Sequence, residues 1–426
     1  MKELQTHRNR IIRFVKKSLR NSPLIDDLGD YIPLLAYYKE DIFCRKQILE
    51  SMKHMKKGLF FGKAYPFLRP FEKHIIIPEM NTDALLGLID YYRLSGWETA
   101  LDVSAHLLDS LKNHFTINGE VCWFLIPSLK IKMPFTRGVN GVFIELLVDM
   151  YEITEEDKYL EFAGELASTW LKMDFFRKYS LFPSMRPIGM PFFSKFGGYF
   201  SIVKPFKHNT SIVNGLVSLY RVTQDTRILK SIIEWTRAIE RKMFDKYVFG
   251  GFDVRSGKRM DPELQFSFPI IDLLCDIAHV SGSYNLLDLA ERIAGNWLEM
   301  VSSIDLLPNS PFSNATFIDS VTDFSVSLFR LHELTGKKEY LSYGKRIALS
   351  NMLHHKCKPD ENFEFEGCEP CYMETYNVSV DVSSGNLLTK VINPKFVALL
   401  LKPIIYMESG KKIYNDDIIF KLMRDR

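Results

Sequence analysis

Acids set about one turn inside otherwise apolar helical stretches are the residues of this chain whose chemistry most needs explaining. Asp83 and Asp323 stand out, and Glu79 and Glu263 lie near the starts of similar stretches. An ionised carboxylate in apolar surroundings is costly unless it is paired, solvated or used. Two carboxyls flanking one bond, one protonated and one ionised, are what glycosidic hydrolysis needs. Asp83 with Asp323 is the first candidate pair, with Glu79 and Glu263 in reserve. His208 is the candidate base for a different reaction, removal of a proton from carbon, with Tyr199 as its alternative. Arg137, Asn140, Asn214, Lys207, Tyr199 and Trp123 supply cations, amides and rings that would hold a polar, anionic ligand. Asn209, Asp261 and Asp319 are of the types that cap helix N-termini, and capping is their expected role.

A second set of ligand-type residues lies towards the C-terminal end. The segment "LHHKCKPDENFEFEGCEPCYMETYN" (353–377) carries His354, His355, Cys357, Cys368 and Cys371. Cys368 and Cys371 form a C-x2-C, and Cys357 with His355 would complete a structural zinc site. A single such pair is a weak signal, and loose thiols in a loop read equally well. No cofactor is required for the candidate chemistry; structural zinc is the one metal the sequence raises. Cys44 and Cys275 fall in helical patterns, where a free thiol is a small apolar group. Six cysteines in 426 residues do not make a disulfide scaffold.

The elements that must position these side chains repeat. "YYRLSGWETALDVSAHLLDSL" (from 91), "MYEITEEDKYLEFAGELASTWL" (from 150), "LYRVTQDTRILKSIIEWTRAI" (from 219), "AHVSGSYNLLDLAERIAGNWL" (from 278) and "LHELTGKKEYLSYGKRIALSNML" (from 331) share one cadence, with a degenerate copy from 37. Each reads as a helix end, a tight polar turn and a second helix. Aligned on Tyr38, Tyr92, Tyr151, Tyr220, Ala278 and His332, they recur every 54 to 69 residues, which marks repeated helical hairpins. The first helix of each unit is apolar nearly all round and must be buried on all sides. The second is amphipathic: Tyr159, Phe162, Ala163, Leu166, Trp170 and Leu171 share a face, so it covers the core from outside.

Six such hairpins close into an all-α (α/α)6 barrel with a small C-terminal extension; an open solenoid is the competing architecture. The expected division is a basic N-terminal helix over 1–27, the barrel over 28–355, and a C-terminal loop and helix packed on it over 356–426. Pro33, Pro78 and Pro262 mark expected first residues of inner helices. The short turns join inner to outer helices, and the long connections all emerge at the inner-helix N-termini. That end would form a concave mouth ringed by loops and helix-dipole positive ends. Residues 173–207 carry six basic side chains and ten aromatics, so the rim is expected to be basic and aromatic above an acidic floor.

Composition narrows the classes. The chain is 46% hydrophobic and 25% charged with a net charge of +3, which gives a large core and a weak overall field. No nucleic-acid motif accompanies the basic loops, so nucleic acid is disfavoured as a partner. The N-terminus has no apolar stretch of signal-peptide length, and no apolar run reaches the roughly 20 residues of a membrane span. A cytoplasmic location is expected. The basic amphipathic N-terminal helix would pack along the rim of the fold, with a membrane surface as the lesser alternative.

The cadence, and above all "DSVTDFSVSLFRLHELTGKKEYLSYGKRIALSNML" (319–353), resembles the six-hairpin (α/α)6 glycosidase-like superfamily. That group includes glycoside hydrolases, unsaturated glucuronyl hydrolases, polysaccharide lyases, N-acylglucosamine 2-epimerases and glucuronyl C5-epimerases. The resemblance covers about residues 28–353 as a pattern of helices and implies sugar chemistry at the inner-helix N-termini. The paired histidines of the 2-epimerases and the Asp-Asp motif of several mannan hydrolases are absent, so no family's catalytic residues carry over. Terpenoid cyclases share the barrel, but their D-x-D-D signature is missing. Three readings are in play. One is hydrolysis of an anionic oligo- or polysaccharide. The second is proton abstraction at uronate C5, giving epimerisation or elimination. The third is a non-catalytic glycan-binding scaffold.

Overall fold

The computed structural model describes residues 2–20, 23, 27–56, 58–60, 75–188, 201–354, 379–386, 388 and 394–409. After α1 (Lys2–Ser18) come α2 (Leu28–Tyr37) and α3 (Asp41–Met52), α4 (Pro78–Ser95) and α5 (Glu98–Phe115), and α6 (Val139–Thr154) and α7 (Asp157–Leu171). A short α8 (Asp174–Tyr179) leads on to α9 (Thr210–Thr223) and α10 (Thr226–Ala238), α11 (Leu264–Ser281) and α12 (Leu287–Leu298), and α13 (Ile318–Thr335) and α14 (Lys338–His354). The last described elements are α15 (Pro394–Leu399) and α16 (Leu401–Ser409). The inner helices α2, α4, α6, α9, α11 and α13 pack in that order, each covered by its own outer partner. This is an (α/α)6 barrel.

The recurring cadence has a physical cause. Each inner helix ends on one residue in the left-handed conformation: Lys39, Gly96, Glu155, Gln224, Gly282 and Gly336, with φ between 54° and 72°. In four of the six, its N–H donates to the carbonyl of the residue four before it: Tyr92, Tyr151, Tyr220 or His332. A left-handed cap of this kind stops a helix and turns the chain sharply. Glycine pays least for it, yet only three of the six are glycine.

Burial follows the two periods read from the sequence. On α13 every residue from Ser320 to Leu331 is buried. On α7 only Tyr159, Phe162, Ala163, Leu166, Ala167 and Trp170 are buried, one face of the helix. α11 has the length and apolarity to cross a membrane, but 72% of that stretch is buried inside the barrel, as an inner helix must be. Pro78 opens α4 as expected. Pro33 instead sits inside α2, and Pro262 lies two residues before α11 begins.

Inner neighbours touch backbone to backbone where glycines meet. A Cβ on Gly141 would lie 2.0 Å from the Ser211 carbonyl oxygen, and one on Gly215 would lie 2.4 Å from that of Gly141, so α6 and α9 cross through this pair. Gly87 meets Leu28 and Gly29 of α2 in the same way, at 2.7 Å.

Helices α1, α15 and α16 complete the ring. α15 packs on both α2 and α13, α16 packs on α13, and α1 lies against α15 and α16. Ile11, Ile12 and Val15 of α1 are buried there, and Arg8 pairs with Glu408 at 3.0 Å. The apolar face of the basic N-terminal helix is thus covered by protein.

The long connections do emerge together at the inner-helix N-termini, and short strands stitch neighbouring loops. Phe135–Thr136 pairs with Arg186–Pro187, Ile202–Val203 with Phe252–Asp253, and Ala315–Phe317 with Ser379–Asp381, all antiparallel. The sequence pattern did not reveal these strands.

Gly141→Ala forces α6 and α9 apart, and overpacking of this kind costs about 1–3 kcal/mol. Gly164→Ala, on α7 with open space around it, instead gains up to about 1 kcal/mol in helix propensity. Chemical denaturation midpoints of the two variants should move in opposite directions.

Candidate active site at the mouth of the barrel

Three asparagines hold the mouth loops by a repeated device. Asn81 of α4 accepts from Phe60 N at 2.8 Å and donates to Phe60 O at 3.2 Å and Ile77 O at 3.1 Å. Asn140 of α6 accepts from Val121 N at 2.9 Å and donates to Thr136 Oγ1 at 2.5 Å and Arg137 O at 2.9 Å. Asn209, just before α9, accepts from Phe182 N at 2.8 Å and from the Trp235 indole at 3.1 Å, and donates to Phe182 O at 2.9 Å. Each amide stands in for a strand neighbour and pairs with one loop residue. Asn140 is fully buried and its amide is engaged on both sides, which corrects its assignment to substrate. Asn209 clamps a loop rather than capping a helix. Asp261 is exposed ahead of α11, and Asp319 accepts from Ser320 N at 2.6 Å.

One sector of the mouth gathers Glu79, Arg137, Trp123 and His208. Arg137 lies 3.8 Å from Glu79, with its guanidinium over the Trp123 ring at 5.5 Å from the centroid. Arg137 ends the loop before α6, and Glu79 is in the first turn of α4, so two adjacent helix starts meet here. His208 lies in a π-turn, Pro205–Asn209, that runs into α9. It is buried, and its Nδ1 accepts from Gly138 N at 3.4 Å. A cation, a carboxylate and a flat ring together make a surface that binds a polar ring with an acidic substituent.

The acidic floor differs from expectation because the C-terminal helices bring cations into it. Lys395 of α15 reaches Asp27 at 2.8 Å and Asp30 at 3.0 Å. Asp83 of α4 accepts from Gly29 N at 3.4 Å in the same corner. Burial alone would lower the Lys395 pKa, yet the charges of Asp27, Asp30 and Asp83 hold it well above the usual lysine value. On the other flank, Lys402 of α16 donates to Asp323 at 2.7 Å. Burial raises the Asp323 carboxyl and Lys402 pulls it back; the balance leaves it at about 6. The candidate pair Asp83 and Asp323 thus sits on opposite flanks of the C-terminal helices.

Deeper in the barrel, Arg330 of α13 is fully buried between Asp272, at 3.2 Å, and Asp276 of α11. Ser327 Oγ donates to Asp272 at 2.8 Å. Burial pushes Asp276 up to about 7 against the pull of Arg330. Glu263 stands at the N-cap of α11 and accepts from the amides of Gln265 and of Asn309, the latter at 3.2 Å, so it secures the loop before α11. Asn214 is buried on α9 and its Oδ1 has no partner; Ser267 Oγ, one turn into α11, is also buried without one.

Tyr199 and the zinc set His355, Cys357, Cys368 and Cys371 lie outside the described residues, as does the side chain of Lys207. Among the described residues, no group of three or more His, Cys, Asp or Glu is placed to hold a metal ion. Cys44, Cys122 and Cys275 are buried thiols that form no disulfide.

Sequence reasoning passed over Lys395, Lys402 and the Arg330 triad. The signal for Lys402 was present, since it is a charge inside the apolar run "FVALLLKPIIYM" (396–407).

No family model matches the chain, and no curated protein matches its sequence. Solved structures do share the fold. The chain is similar to cellobiose 2-epimerase from Bacillus thermoamylovorans B4167, at 15% identity and a TM-score of 0.60 over 85% of this chain and 98% of that one. Cellobiose 2-epimerase from Spirochaeta thermophila gives 12% identity and a TM-score of 0.61 over 93% and 98%. Unsaturated glucuronyl hydrolase from Bacillus sp. GL1 gives 12% identity and a TM-score of 0.51 over 78% and 86%. What these likenesses share with this chain is the fold, an (α/α)6 barrel of six helical hairpins.

A carboxyl whose folded pKa is raised favours the folded state below its unfolded pKa and loses that advantage as pH rises through the folded value. For Asp276 the window runs from about 3.9, the unfolded value, to about 7. Asp276→Asn should flatten this part of the stability–pH curve, measured as thermal midpoint against pH. Arg330→Met leaves two buried aspartates without their cation and should cost about 3–5 kcal/mol.

Proposed function

We propose that this chain is a carbohydrate-active enzyme that hydrolyses a glycosidic bond in an anionic oligo- or polysaccharide. Asp323 is the general acid, and Asp83 is the ionised partner that activates water or attacks the sugar carbon. The observation that carries this reading is the Asp323 carboxyl, buried one turn below the mouth with its pKa pushed up to about 6. It keeps a proton close to neutral pH and can deliver it to a leaving oxygen. Asp83 stands near a buried ammonium, Lys395, which suits the ionised role. Burial holds Asp323 above the ordinary carboxyl range even with Lys402 in contact, while Asp83 accepts from the Gly29 N–H in the corner of Lys395; this difference in surroundings is what divides acid from base.

Arg137 over Trp123, with Glu79 alongside, supports an acidic sugar as the substrate. The guanidinium can take a carboxylate or sulfate through paired hydrogen bonds. The ring can stack on the apolar face of the sugar. Similarity in fold to an unsaturated glucuronyl hydrolase fits this substrate class.

A second reading rests on His208. It is buried beside the start of α6, one residue from Arg137 through its contact with Gly138. A histidine and an arginine so placed suit removal of a proton next to a carboxylate or carbonyl, with the cation stabilising the charge that forms. Similarity in fold to the two 2-epimerases fits this chemistry.

Proton NMR in heavy water, with purified protein against acidic and neutral oligosaccharides, separates the readings. Hydrolysis gives new reducing-end anomeric signals. Asp83→Asn and Asp323→Asn should each slow it by about 10²–10⁴-fold, while His208→Ala retains most of the rate. Full activity in both aspartate variants would sink the hydrolase assignment. Exchange of a ring proton or a vinylic product, lost in His208→Ala, would favour proton abstraction. Line broadening without a product would leave a glycan-binding protein.

A further inference from the structure

The C-terminal helices bring two lysines into the ring, seven residues apart, and each takes charge from a different flank. Lys395 serves Asp27 and Asp30 at the α2 side, and Lys402 serves Asp323 on α13. Lys402 is 7% exposed and sits in the apolar first turns of α16, where its neighbours Leu401, Ile404 and Ile405 are fully buried. If docking of α16 were its only purpose, an apolar side chain would do as well. A buried ion pair pays desolvation on both partners and is commonly neutral or worse for stability than a hydrophobic replacement. The lysine is therefore better explained by what it does to the carboxyl that it touches.

We propose that Lys402 is a positioning residue of the active site, whose ammonium holds and orients the Asp323 carboxyl, so that the site is complete only when α15 and α16 are docked between α2 and α13. The inference rests on the hydrolase reading of Asp323. The charged groups facing Asp323 are Lys402 from α16, Asp319 on its own helix and Asp272 from α11, the last held by Arg330. Lys402 is the cation in direct contact with Asp323 at 2.7 Å. Without it, Asp323 would face burial and two like charges. Its titration would move up, and the carboxyl would be free to turn away from the bond to be cleaved.

The test uses the full-length protein and four variants: Lys402→Met, Lys402→Gln, Lys402→Arg and Asp323→Asn. Two readouts are taken, the pH dependence of kcat/KM and the pH dependence of the thermal midpoint. The first is followed on the oligosaccharide that the NMR panel identifies; the second needs no substrate. In Lys402→Met the alkaline limb of the rate profile should move up by about 1–3 units, the shift that an adjacent opposite charge produces. The pH at which the midpoint falls should move by the same amount. kcat should drop while KM stays within about threefold, and Lys402→Arg should restore both profiles. Lys402→Gln keeps a hydrogen bond to the carboxyl and gives the same reading if the Met variant does not fold. Rate and stability profiles unchanged from wild type in the neutral variants overturn the proposal, as does loss of activity in Lys402→Arg with the limb unmoved. A shift in the stability profile that is absent from Asp323→Asn, in a protein where Asp323→Asn keeps full activity, overturns the hydrolase reading and the positioning role together while leaving the ion pair in place.

Discussion

A helix buried on every side can carry a charge only against another charge. That constraint shapes this barrel from end to end. At the closed end Arg93 of α4 reaches Asp149 of α6 at 2.9 Å, and Arg221 of α9 reaches Glu152 at 2.8 Å. In the middle Arg330 lies between Asp272 and Asp276. At the mouth Lys395 and Lys402 meet the aspartates of α2 and α13. Each pair crosses between different helices, so the charges fix the relative rotation of inner helices that apolar packing alone would leave looser. Glycine contacts such as Gly141 with Gly215 then set how close the helices come.

The mouth obeys the same rule with amides in place of ions. A long loop leaving a buried helix start carries backbone groups that must be paired. Asn81, Asn140 and Asn209 each satisfy one loop residue on both its N–H and its C=O. Short strands between neighbouring loops satisfy others. The rim is therefore a bonded collar, held at the same helix starts that carry Glu79, Arg137 and His208. Side chains on a fixed collar keep their geometry without a ligand present, which lowers the cost of ordering them when one binds.

The architecture was legible because it rests on local rules. The repeat positions Tyr92, Tyr151, Tyr220 and His332 are the carbonyls that accept from the left-handed caps, so the sequence alignment had found a hydrogen bond. All-round apolar and one-faced patterns separated inner from outer helices for the same reason. The candidate site was less legible. Asp83, Asp323, Glu79, Arg137 and His208 were found from residue type and depth along a helix, and they do lie at the mouth end. Their partners were not found, because Lys395 and Lys402 come from the far end of the chain and no local pattern ties residue 402 to residue 323. Asn140 was misread because a buried amide on a polar face looks the same in sequence whether it serves a ligand or a loop. Pro33 was misplaced because an inner helix tolerates a proline in its interior that the usual first-turn rule does not anticipate.

Closure of the ring by α1, α15 and α16 has a consequence for the order of assembly. Arg8 pairs with Glu408, and Tyr38 donates to Glu408 at 3.2 Å, across 400 and 370 residues of chain. Synthesis proceeds at about 5–20 residues per second, with N-terminal parts emerging first. The six hairpins, built on local contacts, can form one after another as they appear. The flanks of α2 and α13 and the apolar face of α1 have no partner until residues 394–409 leave the ribosome. The α15–α16 segment, made after all six hairpins, is thus the one that seals the core. A nascent chain that stalls or is cut before it presents an open, sticky seam beside an unfinished site, and quality-control factors that read exposed apolar surface can tell a complete molecule from an incomplete one by that seam alone.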